Sequence, residues 1–333
     1  MWVDFGASMS SLYPPTEPYD TGMLDVGDGN LVYWEVCGNP AGKPAVMFHG
    51  GPGSGCGPGW RRYFNPAAYR VVLFDQRGCG RSTPHASDPA VDLATNTTEH
   101  LIADIELLRK QLGIERWLVV GGSWGSTLAL AYAQRFREHI SEMVLFSVGT
   151  TTRRDVRWVT RDVGRYFPEA WNRFRDGVPA AERDGDLIAA YYRLLNDPDP
   201  MVRANAASEW CRWEESHVAV RPGHRPDPRY DDPRFRMAFA RLVTHYWHHA
   251  AFLEDGALIR DAGRLAGMPG ILIHGRIDLS SPIDIPWRLS RAWPGSELVA
   301  IDDAAHGTGA VFEAAVVGAI DRFADSPGRE GST

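Results

Sequence analysis

A chain of 333 residues with 44% hydrophobic and 23% charged side chains has an ordinary globular composition and can bury a large core, and its length is compatible with one sheet carrying an inserted cap. No apolar run approaches the roughly 20 residues that a bilayer-spanning helix needs. The net charge of -7 comes from intermixed acidic and basic residues, so there is neither a basic stripe for nucleic acid nor a Lys/Arg block for anionic lipid, and a small peptide or small molecule is the fitting partner.

The first fifteen residues carry Asp4 and lack the basic and apolar blocks of a signal peptide, which reads as cytoplasmic. Apolar runs at 45–48, 71–74, 117–120 and 143–146 alternate with helical stretches at 100–112 and 126–135. Uniformly apolar strands separated by helices predict a mostly parallel sheet covered on both faces. From 151 to 262 the chain is rich in Trp, Tyr, Arg and Pro, with apolar residues at helical spacing around 191–195, 210–213 and 239–247, and this reads as a helical cap. Two more strands, 271–274 and 298–301, and a closing helix, 311–324, return to the sheet. The expectation is an α/β-hydrolase fold with residues 1–150 and 263–333 as the catalytic body and 151–262 as the insertion. The four cysteines, Cys37, Cys56, Cys79 and Cys211, form no CxxC pair and read as free thiols.

Gly121-Gly122-Ser123-Trp124-Gly125 lies between an apolar run and a helix, the strand-to-helix setting that a G-x-S-x-G nucleophile elbow requires. A glycine turn carrying a bystander serine is the competing reading, since a five-residue pattern recurs by accident. His49-Gly50-Gly51-Pro52-Gly53 follows the run 45–48, where such a fold places its second oxyanion donor. The backbone amides of Gly51 and Trp124 are the candidate oxyanion hole. Serine needs a base, and in the chain order of this fold an acid and a histidine follow it. Asp278 and His306, each shortly after a predicted strand, fill those places. Asp284, Asp302 and Asp303 are rival acids. His245 and His249 share a helical face, but Tyr246 occupies the glutamate position of HExxH, so packing explains them better than a metal. Trp210, Trp213, Tyr246 and Trp247 read as cap core with some members on the pocket roof. The run Asp75-Gln76-Arg77-Gly78-Cys79-Gly80-Arg81-Ser82 reads as an architectural turn in which Asp75 pairs with the nearby arginines.

With these residues the sequence resembles the proline iminopeptidase (prolyl aminopeptidase) family over nearly its whole length. Tyr13-Pro14-Pro15, the run 23–29, HGGPG at His49, DQRGCGRS at Asp75, GGSWGSTLAL at Gly121, Phe167-Pro168-Glu169-Ala170-Trp171, HGRxD at His274 and the late His306 match family motifs in order. The resemblance implies release of an N-terminal proline from small peptides by serine acyl transfer, with no metal or other cofactor, and cap carboxylates that hold the substrate's ammonium. By position it assigns that role to Glu214, with Glu215 and Glu209 as alternatives. The chain departs from the family pattern at Val243, where a second amine-binding glutamate is expected, and at Phe146 and Gly149, where an arginine and a pocket phenylalanine are usual. Its catalytic end reads Ala305-His306-Gly307 in place of glycine-histidine-serine. These departures raise an ester, thioester or non-peptide amide as the alternative substrate. A non-catalytic binding protein is the third reading, and the complete set of nucleophile, base, acid and oxyanion loop argues against it.

Overall fold

The computed structural model describes residues 12–218, 220, 226–307 and 309–325. Most of the N-terminal stretch read for targeting, residues 1–11, therefore lies outside the described residues. The chain opens with β1 (Asp20–Asp25), β2 (Leu31–Gly38), β3 (Lys43–Phe48) and β4 (Tyr69–Phe74), then alternates α1 (Thr98–Gln111), β5 (Trp117–Gly122), α2 (Trp124–Arg135) and β6 (Ile140–Phe146). Next come α3 (Arg153–Thr160), α4 (Pro168–Asp176), α5 (Leu187–Leu195), α6 (Pro200–Val218), α7 (Pro233–His248) and the single turn α8 (Ala257–Arg260). The sheet resumes with β7 (Gly270–Gly275), α9 (Asp284–Ala292), β8 (Ser296–Ile301) and α10 (Ala310–Asp321).

Among the described residues eight strands form one sheet in the order β1-β2-β4-β3-β5-β6-β7-β8. From β4 to β8 all neighbours are parallel. Every residue of β5 and β7 is buried, as the continuous apolar runs require when helices cover both faces. Two apolar clusters lie on the two sides of this sheet, one holding Phe48, Leu128 and Trp293, the other Tyr69, Phe146 and Phe312. The antiparallel strands β1 and β2 escape the sequence reading because their patterns are mixed. Val32, Trp34 and Val36 point into the core while Glu35 is buried among charges. Helix α9 was likewise unread.

The helices between β6 and β7 pack on one another around a third apolar cluster that includes Phe174, Tyr191, Trp210 and Trp213. The rings of Phe174 and Tyr191 stack with centroids 4.6 Å apart. Val243 is completely buried in this cluster.

The turn after β4 differs in detail from its expected pairing. Only Arg81 pairs with Asp75, at 2.7 Å, while also reaching Glu35 at 2.8 Å. Arg77 turns the other way and makes a two-pronged contact with Asp104 of α1, both bonds 2.7 Å. Arg77 and Asp104 are each 3% exposed, so neither charge has water to replace its partner. Asp104→Ala leaves the buried guanidinium with only the half-exposed Asp28 at 3.5 Å as a counter-charge and should cost about 3 kcal/mol of stability, measured by urea unfolding. A loss within 0.5 kcal/mol, the range of an ordinary surface change, would refute this account.

Candidate active site

Ser123 occupies the cap position before α2 with φ 54 and ψ -124, a backbone conformation that side chains other than glycine rarely adopt. The sharp reversal aims its hydroxyl out of the sheet edge, and neighbouring glycines make room for it. A Cβ on Gly125 would collide with the backbone carbonyl of Phe48 in β3, and one on Gly122 with the ring of Phe146. The helix begins at Trp124, two residues earlier than the apolar pattern suggests. The Trp124 amide therefore sits in the first turn, where helical N–H groups have no intrahelical acceptor.

The loop after β3 is held against this turn by one side chain. The Gln76 amide N–H donates to Nε2 of buried His49 at 3.0 Å, and Gln76 Nε2 donates to the His49 carbonyl at 3.0 Å. Gln76 Oε1 accepts from the Trp124 indole at 2.9 Å. Nδ1 of His49 lies 2.9 Å from the Gly50 carbonyl, so a neutral ring protonated at Nδ1 satisfies both contacts. Burial, which holds His49 below its ordinary range, favours that neutral form. Gly51, at φ +110, and Trp124 line one cavity with Ser123.

Asp278 and His306 reach the same point from the ends of β7 and β8. His306 Nε2 lies 3.1 Å from Ser123 Oγ, and its Nδ1 lies 2.8 Å from Asp278 Oδ2. The other carboxylate oxygen of Asp278 accepts the Ser281 amide at 2.8 Å. Burial would raise the Asp278 carboxyl, but the facing His306 outweighs it and holds the group below the usual carboxylate range. Burial would likewise lower His306, and the Asp278 charge reverses this to hold the imidazole above its ordinary value. The rival acids lie elsewhere. Asp284 pairs with Arg154 at 2.8 Å, Asp302 pairs with Arg276 at 2.6 Å, and Asp303 is exposed. A hydroxyl bonded to an imidazole that is itself bonded to a buried carboxylate can attack an acyl carbon and transfer the proton onward.

Glu214 of α6 lines two neighbouring spaces with Ser123 and His306: a cleft of about 330 Å³ and a recess of about 60 Å³. Its side chain is 13% exposed, and burial pushes its carboxyl up to about 7 while His306 pulls the other way. Glu215 also lines the cleft but accepts the Asp227 amide at 2.7 Å. Glu209 is taken by Arg212 at 2.6 Å. Gly149 borders the recess and Phe146 the cleft, where Phe146 packs with Trp60 at 5.7 Å. Val243 is not among the residues lining either space. Of the cap aromatics, Trp210, Trp213 and Tyr246 are buried, whereas Trp247 forms part of the recess wall. His245 bonds to the Asn96 carbonyl at 2.9 Å and His249 to the His245 carbonyl at 2.8 Å.

Three contributors escaped sequence reasoning. Gln76 lay inside a turn read as architectural. Ser147, at φ 46, places a buried hydroxyl with no hydrogen-bond partner among the described residues beside both spaces. Asp155 caps α3 and also borders the recess. The positive φ of Ser147 and the capping pattern Thr152-x-x-Asp155 have only the second as a sequence signal.

A family model for the alpha/beta hydrolase fold matches residues 43–309. The chain is 55% identical over 318 residues to the Streptomyces coelicolor protein named "Probable proline iminopeptidase", covering 94% of this chain and 98% of that protein. It is 45% identical over 300 residues to the Xylella fastidiosa (strain Temecula1) proline iminopeptidase, covering 90% and 94%. The crystal structure of Mycobacterium smegmatis proline iminopeptidase superposes with a TM-score of 0.59 at 21% identity, covering 92% of this chain and 99% of that one, a likeness of fold. Fold, site geometry and these close sequence matches over nearly the whole chain agree, and the protein belongs to the proline iminopeptidase family of α/β hydrolases.

Proposed function

We propose that the protein is a serine aminopeptidase that releases an N-terminal residue, preferentially proline, from small peptides. The observation that carries this reading is the Ser123–His306–Asp278 chain of hydrogen bonds beside a cavity that Ser123, His306 and Glu214 line together. Its peptide chemistry also follows the named function of the relatives at 45–55% identity.

In this mechanism Glu214 receives the substrate ammonium, which sets the first carbonyl over Ser123. Oγ attacks as His306 Nε2 takes its proton. The amides of Gly51 and Trp124 hold the oxygen that becomes negative, and Asp278 keeps Nδ1 protonated and stabilises the imidazolium. His306 then gives the proton to the leaving amine, and water repeats the sequence on the acyl-enzyme. Residues 151–262 act as the cap that supplies Glu214 and Trp247, residues 1–150 and 263–333 as the body that supplies the triad. Among the described residues no helix is long and apolar enough to cross a membrane, and a cytoplasmic site of action fits the reading.

A second substrate class is favoured by specific residues. With Val243 inside the apolar cluster the family's second glutamate has no counterpart there, and Gly149 opens the recess where a phenylalanine is usual. An ester, thioester or non-peptide amide lacking a charged amine would sacrifice less at such a site than at one with two carboxylates.

Two measurements test these roles. Asp278→Asn should lower kcat by roughly 10⁴-fold through loss of the correct imidazole tautomer, while Asp302→Asn stays within a few-fold of wild type. Because neutral His306 is the base and Asp278 raises its pKa, kcat/KM for an uncharged acyl ester should rise with pH through a midpoint above the ordinary histidine value of 6.5. An equal effect of both substitutions would remove Asp278 from the mechanism. For the substrate, kcat/KM is compared for proline naphthylamide, its N-acetyl form and a simple acyl ester. The free-amine substrate should be preferred by at least tenfold, and Glu214→Gln should abolish that preference. Indifference to the amine would transfer the assignment to the second class.

A further inference from the structure

Glu214 does not stand alone on its helix. One turn along α6, His217 is completely buried, and its Nε2 faces Glu214 Oε2 across 3.7 Å. Neither atom has a hydrogen-bond partner among the described residues. Two buried polar atoms left facing each other are costly unless they serve one another. The distance exceeds a hydrogen bond, and a shift of about half an ångström closes it. On its far side His217 Nδ1 lies 3.2 Å from Ser280 Oγ, and Ser280 borders the recess two residues beyond Asp278.

A hydroxyl can donate or accept, and so can each nitrogen of a neutral imidazole. When Glu214 is ionised, Nε2–H faces the carboxylate and the Ser280 hydroxyl donates to Nδ1. When Glu214 is protonated, its O–H points to the Nε2 lone pair and Nδ1–H donates to Ser280. Both arrangements satisfy these facing atoms, and they differ by the one proton that Glu214 takes up and by which imidazole nitrogen carries its hydrogen. We infer that His217 is a positioning residue that partners Glu214 in both its neutral and its charged state by exchanging tautomers against Ser280, and so sets the pH at which the site accepts a free amine.

The electrostatic surroundings suit this exchange. Burial, with His306 nearby, pushes His217 down to about 3, so the ring stays neutral throughout. The titratable and charged groups around Glu214 are His306 from the loop after β8, Asp227, Arg229 and Tyr230 ahead of α7, Asp155 of α3, and Cys211 and Glu215 on α6 itself. The phenol and thiol are both held far above neutrality by burial. Asp278 and His306 face His217 from the catalytic loops. Near neutral pH, Glu214 and His306 are therefore the pair whose charges change.

The inference rests on Glu214 being the ammonium anchor, and the test separates the two. In the full-length enzyme, pH profiles of kcat/KM are recorded for proline naphthylamide and for an acyl ester without an amine. The titration of the substrate's own amine is common to all variants. The bond to the charged carboxylate is the stronger of the two, so His217→Leu costs ionised Glu214 more than neutral Glu214 and the acid limb for the amine substrate should move up by about one pH unit. KM for that substrate should rise about fivefold at pH 7, with kcat within threefold and the ester profile unmoved. His217→Gln, whose amide nitrogen reaches the place of Nε2, should recover most of the loss. If His217→Leu does not fold, His217→Asn takes its place, because it keeps a polar group at Ser280 and withdraws the one facing Glu214.

An equal shift for both substrates would mean that His217 acts through His306, and no shift for either would leave it as packing. Each of these overturns the inference. A Glu214→Gln enzyme that keeps its amine preference overturns the anchor itself.

Discussion

The side chain of Gln76 is the constraint on which the site depends. Its two hydrogen bonds, with a third from the Gln76 backbone amide, join the loop after β3, the turn after β4 and the first residue of α2. The two candidate oxyanion amides come from loops at the ends of different strands, and a pair of amides is useful only if its spacing is fixed before the substrate arrives. Loops on separate strands have no backbone ladder to fix them. Gln76 replaces that ladder, and the Arg77–Asp104 contact beside it fastens the turn to α1. Architecture and chemistry meet at adjacent residues.

The electrostatics divide in a similar way. Asp278 and His306 sustain each other's charged forms in a place where burial opposes both. Glu214 receives less help and titrates near neutrality. A substrate that brings its own positive charge completes this balance. In the proposed mechanism Asp278 keeps its charge beside His306, and Glu214 takes its charge with the ammonium it receives.

Much of this was legible in the sequence because it is local. G-x-S-x-G between an apolar run and a helix specifies a backbone shape, and the fully apolar β5 and β7 announce a sheet covered on both faces. Asp278 and His306 are singled out by their positions after strands, and the structure brings both to Ser123. What escaped is long-range or mixed in pattern. Gln76 meets Trp124 across 48 residues of sequence, and His217 meets Ser280 across 63. Nothing near either residue records its partner. Strand β2 carries no continuous apolar signal because Glu35, buried between two arginines, interrupts it, and β1 is a largely exposed edge strand bounded by Asp20 and Asp25. Arg77 was assigned to the wrong carboxylate, since Asp75 and Asp104 are equally plausible partners until the path of α1 is known.

All of α3 to α8 leaves the sheet at the end of β6 and returns at the start of β7, and those two strands are direct hydrogen-bonded neighbours. Topologically the whole excursion is one long loop between adjacent strands. Its length and composition can change without moving a strand out of register, because the sheet closes beneath it regardless. The proposed nucleophile, base and acid, Ser123, His306 and Asp278, all lie outside this excursion, whereas Glu214, Trp247 and Val243 lie within it. Natural variation can therefore revise what the enzyme accepts while inheriting how it cuts, and a laboratory library confined to these helices would explore substrate choice against a fixed reaction.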